Sequence, residues 1–165
     1  MTTTGMIDCD VHTNVPSDDV FCRYLEPDWV EHHRTFSGNS YHVGRYPRAV
    51  PQAARRDAWP PAGPPGSDLA FTREQLLDAW DMRYAVLGPL LKGVQSRNPD
   101  YAAAVSRATN AFTRREWLDG DDRLRGSIIT PYEHPDLAAT DAVTLVGLLA
   151  YIGYGALLLQ IAGGR

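Results

Sequence analysis

The sequence predicts an α/β fold built around a parallel sheet. Short apolar runs alternate with segments in which apolar residues recur at helical spacing. The resulting order of strand, helix, strand, helix, strand, helix, strand requires right-handed crossovers between parallel strands. At 165 residues and 44% hydrophobic composition, the chain is long enough for one core. We therefore expect one domain whose ligands collect at the carboxyl ends of its strands.

The first strand covers Met6 to Val11, and residues 13–16 lead the chain out of it. Residues 13–71 are rich in Pro, Gly and Arg, and they predict a single helical turn, near 18–25 or 28–33. Connections of this length are uncommon in compact domains unless they cover a site or are disordered. We interpret 13–71 as an irregular, lid-like insertion, with disorder as the alternative.

The next helix and strand follow directly. Thr72 to Gln75 has the form of a capping box and predicts a helix that continues to about Asp81. The apolar run from Tyr84 to Leu87 then predicts a second, buried strand, which ends at Gly88-Pro89.

The later elements have clear boundary signals. Asn98 as cap and Pro99 as first residue predict a helix over 99–118. A third strand is predicted over 124–130, a helix from Pro135 to about Tyr151, and a fourth strand over 156–161. Together these segments make about four strand–helix units.

Residues 142–164 form an uncharged stretch of 23 residues between Asp141 and Arg165. This length permits a membrane span. However, five glycines interrupt the stretch, and we interpret it as a buried helix followed by a strand. A shifted reading frame near Asp141 is another explanation for the lost amphipathic pattern.

Charge and cysteine content narrow the class of partner. The net charge of -4 argues against nucleic acid or an anionic membrane as the partner, because both usually require a basic surface. Two cysteines do not make a disulfide framework, and the N-terminus lacks the basic and apolar regions of a signal peptide. We expect a cytoplasmic protein.

The pattern Asp8-Cys9-Asp10-Val11-His12 is the strongest chemical signal in the chain. Side chains at every second position of a strand point the same way, so two carboxylates and an imidazole are expected on one face. These groups suit zinc, iron or manganese. The alternative is a strand whose polar face meets solvent.

Several segments, in their order and spacing, resemble the amidohydrolase-related branch of the amidohydrolase superfamily. That branch includes aminocarboxymuconate-semialdehyde and γ-resorcylate decarboxylases. The matching segments are Ile7–His12, Tyr24–Trp29, Arg56–Pro61, Gly66–Asp68, Gln75–Trp80, Ala108–Phe112, Glu116–Leu118, Asp122–Ile129 and His134–Ala138.

The resemblance implies the N-terminal half of a (β/α)8 TIM barrel with one divalent metal at the carboxyl ends of its strands. It places Asp10 and His12 at the two metal-ligand positions of strand one, with Asp10 replacing a histidine common in relatives. Zinc is the expected metal and manganese the alternative. The further ligands that the resemblance implies, histidines after strands five and six and an aspartate after strand eight, have no counterpart in these 165 residues.

The resemblance also implies the function. We expect a metal-dependent hydrolase or decarboxylase acting on a small organic substrate, and we expect the chain to be truncated and inactive alone. Tyr132 and His134 follow strand three, where they would face the barrel mouth and line the substrate pocket; turn and cap roles are the alternative. The choice between hydrolysis and decarboxylation stays open. The alternative is a non-catalytic half-barrel that interacts or forms homo-oligomers through its exposed sheet edges.

Overall fold

The computed structural model describes residues 5–36, 54–90 and 96–141. These residues contain a three-stranded parallel sheet in the order β1-β2-β3. The predicted α/β class with parallel strands is confirmed at this level, while the half-barrel stays a prediction. The strands are β1 (Met6–Thr13), β2 (Met82–Pro89) and β3 (Leu124–Gly126).

Helices connect the strands of this sheet. Short 3-10 turns at Arg56–Ala58 and Leu118–Gly120 and a π-helical segment at Arg73–Asp78 complete the regular structure. Residues 135–141 are also helical. The α-helices are α1 (Asp18–Cys22), α2 (Pro27–Phe36), α3 (Leu69–Thr72) and α4 (Pro99–Glu116).

Helix α4 organises the core and was predicted almost to its last residue. The Asn98 side chain accepts the Tyr101 N–H at 3.1 Å, so the predicted cap is confirmed. The C-terminal part of α4 packs against the sheet, and its N-terminal part contacts α1 and α2. The first cluster contains Val11, Leu77, Met82, Ala85, Leu87, Phe112, Trp117 and Leu124, and the second contains Phe21, Leu25, Tyr101, Val105 and Ala108.

The segment after β1 contains more regular structure than predicted. It forms two helices, α1 and α2, where the sequence indicated one helical turn. Phe21 and Leu25 are buried against α4, and the His33 side chain is hydrogen-bonded to the Tyr101 hydroxyl at 2.7 Å. These contacts with a helix some eighty positions later stabilise two elements whose local apolar pattern is weak.

Two predicted boundaries were wrong. Asp68, not Thr72, caps α3, because its carboxylate accepts the Phe71 N–H at 2.9 Å while the Thr72 hydroxyl donates to the Asp68 carbonyl. Strand β3 ends at Gly126 instead of Thr130. Beyond it, the Asn110 side-chain amide donates a hydrogen bond to the Ile129 carbonyl and accepts one from the Ile129 N–H. These two bonds take the place of strand pairing.

Three predictions lie wholly or partly outside the described residues. These are the helix beyond residue 141, the fourth strand at 156–161, and the alternative of a membrane span at 142–164. Within 5–36, 54–90 and 96–141, no helix combines the length and apolar character needed to cross a bilayer.

Candidate functional site

The carboxyl ends of β1 and β2 meet at one edge of the sheet. The parallel register pairs Val11 with Leu87 and His12 with Gly88. The side of β1 away from β2 has no strand partner among the described residues. Side chains near the end of β1 therefore lie beside the β2 backbone on one side and solvent on the other.

A β-bulge in β1 changes which side chains share a face. Asp8 pairs with Ala85 and Val11 with Leu87, so Cys9 and Asp10 together lie opposite a single β2 residue. The Asp8 carboxylate accepts the Asp10 N–H at 2.9 Å. The common face predicted for Asp8, Asp10 and His12 is therefore interrupted, and Asp8 stabilises the bulge instead of joining the other two.

Asp10 and His12 do come together. The His12 Nδ1 lies 3.1 Å from the Gly88 carbonyl oxygen, which can only accept a hydrogen bond, so Nδ1 carries the proton. The other ring nitrogen, Nε2, lies 3.6 Å from the Asp10 carboxylate. In neutral imidazole, Nε2 is then the atom with the free lone pair, which is how a metal-binding histidine is usually oriented.

Both side chains are accessible. The Asp10 side chain is 80% exposed and that of His12 is 39% exposed. The lower value for His12 reflects its contact with β2, where a Cβ added at Gly88 would lie 3.4 Å from Nδ1. The imidazole is thus held in place on one side and open on the other.

A tight backbone contact supports this end of β1. The Gly66 carbonyl accepts the Asn14 N–H at 2.7 Å, and Gly66 has a φ of +75°. A Cβ at this position would lie 2.4 Å from the His12 carbonyl oxygen. Only glycine fits here, so the predicted insertion contacts the carboxyl end of β1 through Gly66.

Asp10 and His12 fit two positions of a divalent metal site. Two ligand atoms bound to one tetrahedral ion at about 2.0–2.2 Å lie roughly 3.3–3.6 Å apart. The separation of 3.6 Å between His12 Nε2 and Asp10 Oδ1 is compatible with that geometry. Across the described ranges, no group of three or more His, Cys, Asp or Glu side chains is arranged to hold a metal, so this part of the chain provides two donors.

The two predicted substrate-binding residues lie beyond β3. Tyr132 is 56% exposed. His134 Nε2 lies 3.4 Å from the Ser96 carbonyl, and its own carbonyl accepts the Ala138 N–H at the start of the 135–141 helix. The structure records no hydrogen bond or ion pair between His134 and the Asp10–His12 pair. A substrate-binding role for Tyr132 and His134 stays a prediction.

A cavity of about 380 Å³ between α1, α3 and α4 was not predicted. Its polar lining includes Arg73 and Glu116, but Arg73 pairs with Asp121, and Glu116 accepts a hydrogen bond from Tyr24. Burial, together with that bond to Glu116, raises the pKa of Tyr24 to about 12. These charged groups already have partners within the protein, and neither Asp10 nor His12 lines the cavity.

An ion-pair network lies at the opposite, amino ends of β2 and β3. The Asp121 carboxylate accepts hydrogen bonds from Arg123 at 2.8 and 3.0 Å and from Arg73 at 3.0 Å, and Arg123 also pairs with Asp78 at 2.8 Å. Hydrogen bonds from the Arg123 guanidinium hold the pKa of Asp121 well below its usual range. Arg123 thus links the carboxylates of Asp121 and Asp78.

Arg125 forms no ion pair with the described residues. Its guanidinium lies over the Tyr84 ring at 4.5 Å and donates to the backbone carbonyls of Asp122 and Leu124. Arg125 is two residues further along the chain, on β3 itself, where Tyr84 of the neighbouring strand is within reach.

No family model matches the chain, and no curated protein matches it. The chemistry of the Asp10–His12 pair and the resemblance described above are therefore the basis for a functional proposal.

Proposed function

We propose that the chain contributes Asp10 and His12 as ligands of a divalent metal, zinc or manganese, in a metal-dependent hydrolase or decarboxylase that acts on a small organic substrate. The observation that carries this proposal is the orientation of His12. Its Nδ1 is hydrogen-bonded to the Gly88 carbonyl, so its Nε2 lone pair faces the space beside the Asp10 carboxylate.

The Asp10–His12 pair also falls within the distance range of surface ion pairs, which extends to about 4 Å. Hydrogen-bonded His–carboxylate pairs have N···O distances of about 2.7–3.2 Å. The separation of 3.6 Å is longer than that and suits two atoms that share an ion between them. A ligating histidine usually donates the N–H of its other ring nitrogen to a nearby acceptor, which fixes its tautomer. In His12, the Gly88 carbonyl is that acceptor.

A bound divalent ion would polarise a carbonyl or carboxylate oxygen and lower the pKa of a bound water. The protein's part is to fix the orientation of the His12 ring through the Gly88 carbonyl, to place the Asp10 charge beside Nε2, and to leave that side open to a substrate. A catalytic zinc takes three protein ligands and an open position, whereas the described residues supply two donors. We therefore propose that the chain by itself turns over no substrate.

Metal-dependent thermal stability tests the ligand assignment. At about 100 times the Kd, zinc or manganese should stabilise the folded chain by about 2.7 kcal/mol, which corresponds to a Tm rise of about 5–10 °C. Asp10→Asn and His12→Ala should each abolish most of the rise, because the first removes the negative charge of one ligand and the second removes the imidazole. Differential scanning calorimetry after treatment with a chelator provides the measurement.

Cys9→Ser is the matched control, since Cys9 is an exposed neighbour on the same strand. It should retain the full metal response. An equal Tm rise in the wild type and in His12→Ala would show that the metal binds elsewhere, and the proposal would be wrong. Turnover of ester, amide and aromatic carboxylate substrates by the chain alone would contradict the proposed inactivity.

A further inference from the structure

We propose that two copies of this chain bind one divalent metal ion between them, each copy supplying Asp10 and His12. The inference rests on the ligand assignment made above and extends it to the isolated chain. The site is incomplete within the described part of one copy, and a second copy supplies the donors that complete it.

The number of donors leads to this arrangement. A structural zinc site is closed by four protein ligands in a tetrahedron. One chain offers two donors 3.6 Å apart, and two chains related by a twofold axis offer two imidazole nitrogens and two carboxylate oxygens. In a twofold interface both copies use the same surface patch, so each copy presents an identical pair of ligands to an ion on the axis.

The position of the pair allows a second copy to approach. Asp10 lies on β1, whose outer edge has no strand partner among the described residues, and its side chain is 80% exposed. Met6 and Ile7 on the same strand are 50% and 54% exposed, which extends the edge with apolar surface that a partner would cover.

Charge makes this contact depend on the metal. In a symmetric pair, the Asp10 carboxylates of the two copies lie close together, and like charges in that position repel. A divalent cation between the two carboxylates attracts both of them, so the net electrostatic interaction at the interface becomes favourable. We therefore expect monomers without metal and dimers with it.

A metal held in this way has no open coordination position. Four protein ligands leave no position for water or substrate, so a metal-bound dimer of the isolated chain has no catalytic activity. The same two residues would thus contribute to an open site when other protein ligands are present and to a closed one when a second copy takes their place.

Sedimentation velocity with zinc titration tests the inference. The chain, stripped of metal with a chelator, should sediment at its monomer mass of 18.3 kDa and shift to twice that mass as zinc is added. The shift should be complete at one zinc per two chains. Cobalt in place of zinc should give the strong visible absorption of a tetrahedral site, which is a second readout independent of activity.

Two variants and two controls define the interface. Asp10→Asn and His12→Ala should remain monomeric at every zinc concentration, and circular dichroism should show both to be folded, because the replaced side chains are exposed. Cys9→Ser and Asp119→Asn, which alter an exposed thiol and an exposed carboxylate, should dimerise like the wild type.

The outcomes separate this inference from the ligand assignment. One zinc per chain at monomer mass would overturn the shared site and leave Asp10 and His12 as ligands. Zinc-driven dimers of His12→Ala would also overturn it, because the interface would then use other residues. Absence of any zinc binding would overturn both the inference and the proposed function.

Discussion

At the amino ends of β2 and β3, Asp121 is only 9% exposed and accepts hydrogen bonds from two arginines, whereas Asp10 at the carboxyl end of β1 is 80% exposed. Both are aspartates beside parallel strands. The difference is in their partners: the Asp121 charge is balanced within the protein, while the Asp10 carboxylate pairs, among the described residues, only with a histidine 3.6 Å away.

The amino ends of the strands thus contain an ion-pair network that stabilises the fold, and the carboxyl end of β1 contains the candidate site. A nearly buried carboxylate must be paired to be tolerated, and once paired it holds neighbouring elements together. An exposed donor pair adds little to the free energy of unfolding but remains available to a ligand. In parallel α/β folds ligands bind at the carboxyl ends of strands, which is where the open pair lies.

The largest expected change in stability comes from Gly66→Ala. The added Cβ would approach the His12 carbonyl oxygen to 2.4 Å at a residue whose φ is +75°. We expect a loss of about 2–4 kcal/mol in the free energy of unfolding, from the φ strain and the clash together. Urea denaturation measures the loss.

Gly126→Ala is the matched control for that substitution. Its Cβ would meet only side-chain atoms of Leu118, the nearest at 3.0 Å, and these can move. A smaller loss is expected. If both substitutions were equally mild, backbone packing at Gly66 would not be what stabilises the carboxyl end of β1.

Asp121→Asn should cost slightly less, about 2–3 kcal/mol, because it leaves Arg73 and Arg123 without their shared charge. The pKa of Asp121 is lower in the folded chain than the value of about 3.9 expected when unfolded. Its stabilisation is therefore complete well above that value and is lost as pH falls through it and below.

The difference in unfolding free energy between the wild type and Asp121→Asn should accordingly shrink as the pH falls below about 5. Asp119→Asn, at an exposed position nearby, should stay within about 0.5 kcal/mol of the wild type at each pH. A difference that is constant with pH would mean that the loss does not come from the charge of Asp121.

The smallest effect is expected at the candidate site itself. Without metal, Asp10→Asn and His12→Ala should each change the free energy of unfolding by no more than about 0.5 kcal/mol. The reason is that both side chains are exposed and their ion pair is long. If either variant lost as much unfolding free energy as Asp121→Asn, the Asp10–His12 pair would have a structural role. The carboxyl end of β1 would then not differ in this respect from the amino ends of β2 and β3.

Elements with strong local signals were predictable, and the others were not. Asn98-Pro99 marked the start of α4, and Gly88-Pro89 marked the end of β2. Helices α1 and α2 were largely missed because their stability comes from contacts with α4. Strand β3 was predicted too long because the Asn110 side chain, fourteen positions before Leu124, takes the backbone groups of Ile129.

The candidate site shows the same division. That Asp10 and His12 would lie together could be predicted from their spacing on a strand. The role of Asp8 could not, because a bulge depends on how β1 pairs with β2, and pairing is not visible in an alternating pattern. The ion pair between Asp121 and Arg73 was also missed, since 48 positions separate them.

The sequence by itself determined the parallel α/β class, the start of α4 and the pairing of a carboxylate with an imidazole at the end of the first strand. These depend on periodicity and capping, which act over a few residues. Only the tertiary structure decided which nitrogen of His12 is open, because the Gly88 carbonyl that holds the other one lies 76 positions away. It also decided that Asp121 is paired and Asp10 exposed, since burial depends on which distant segments pack against each residue.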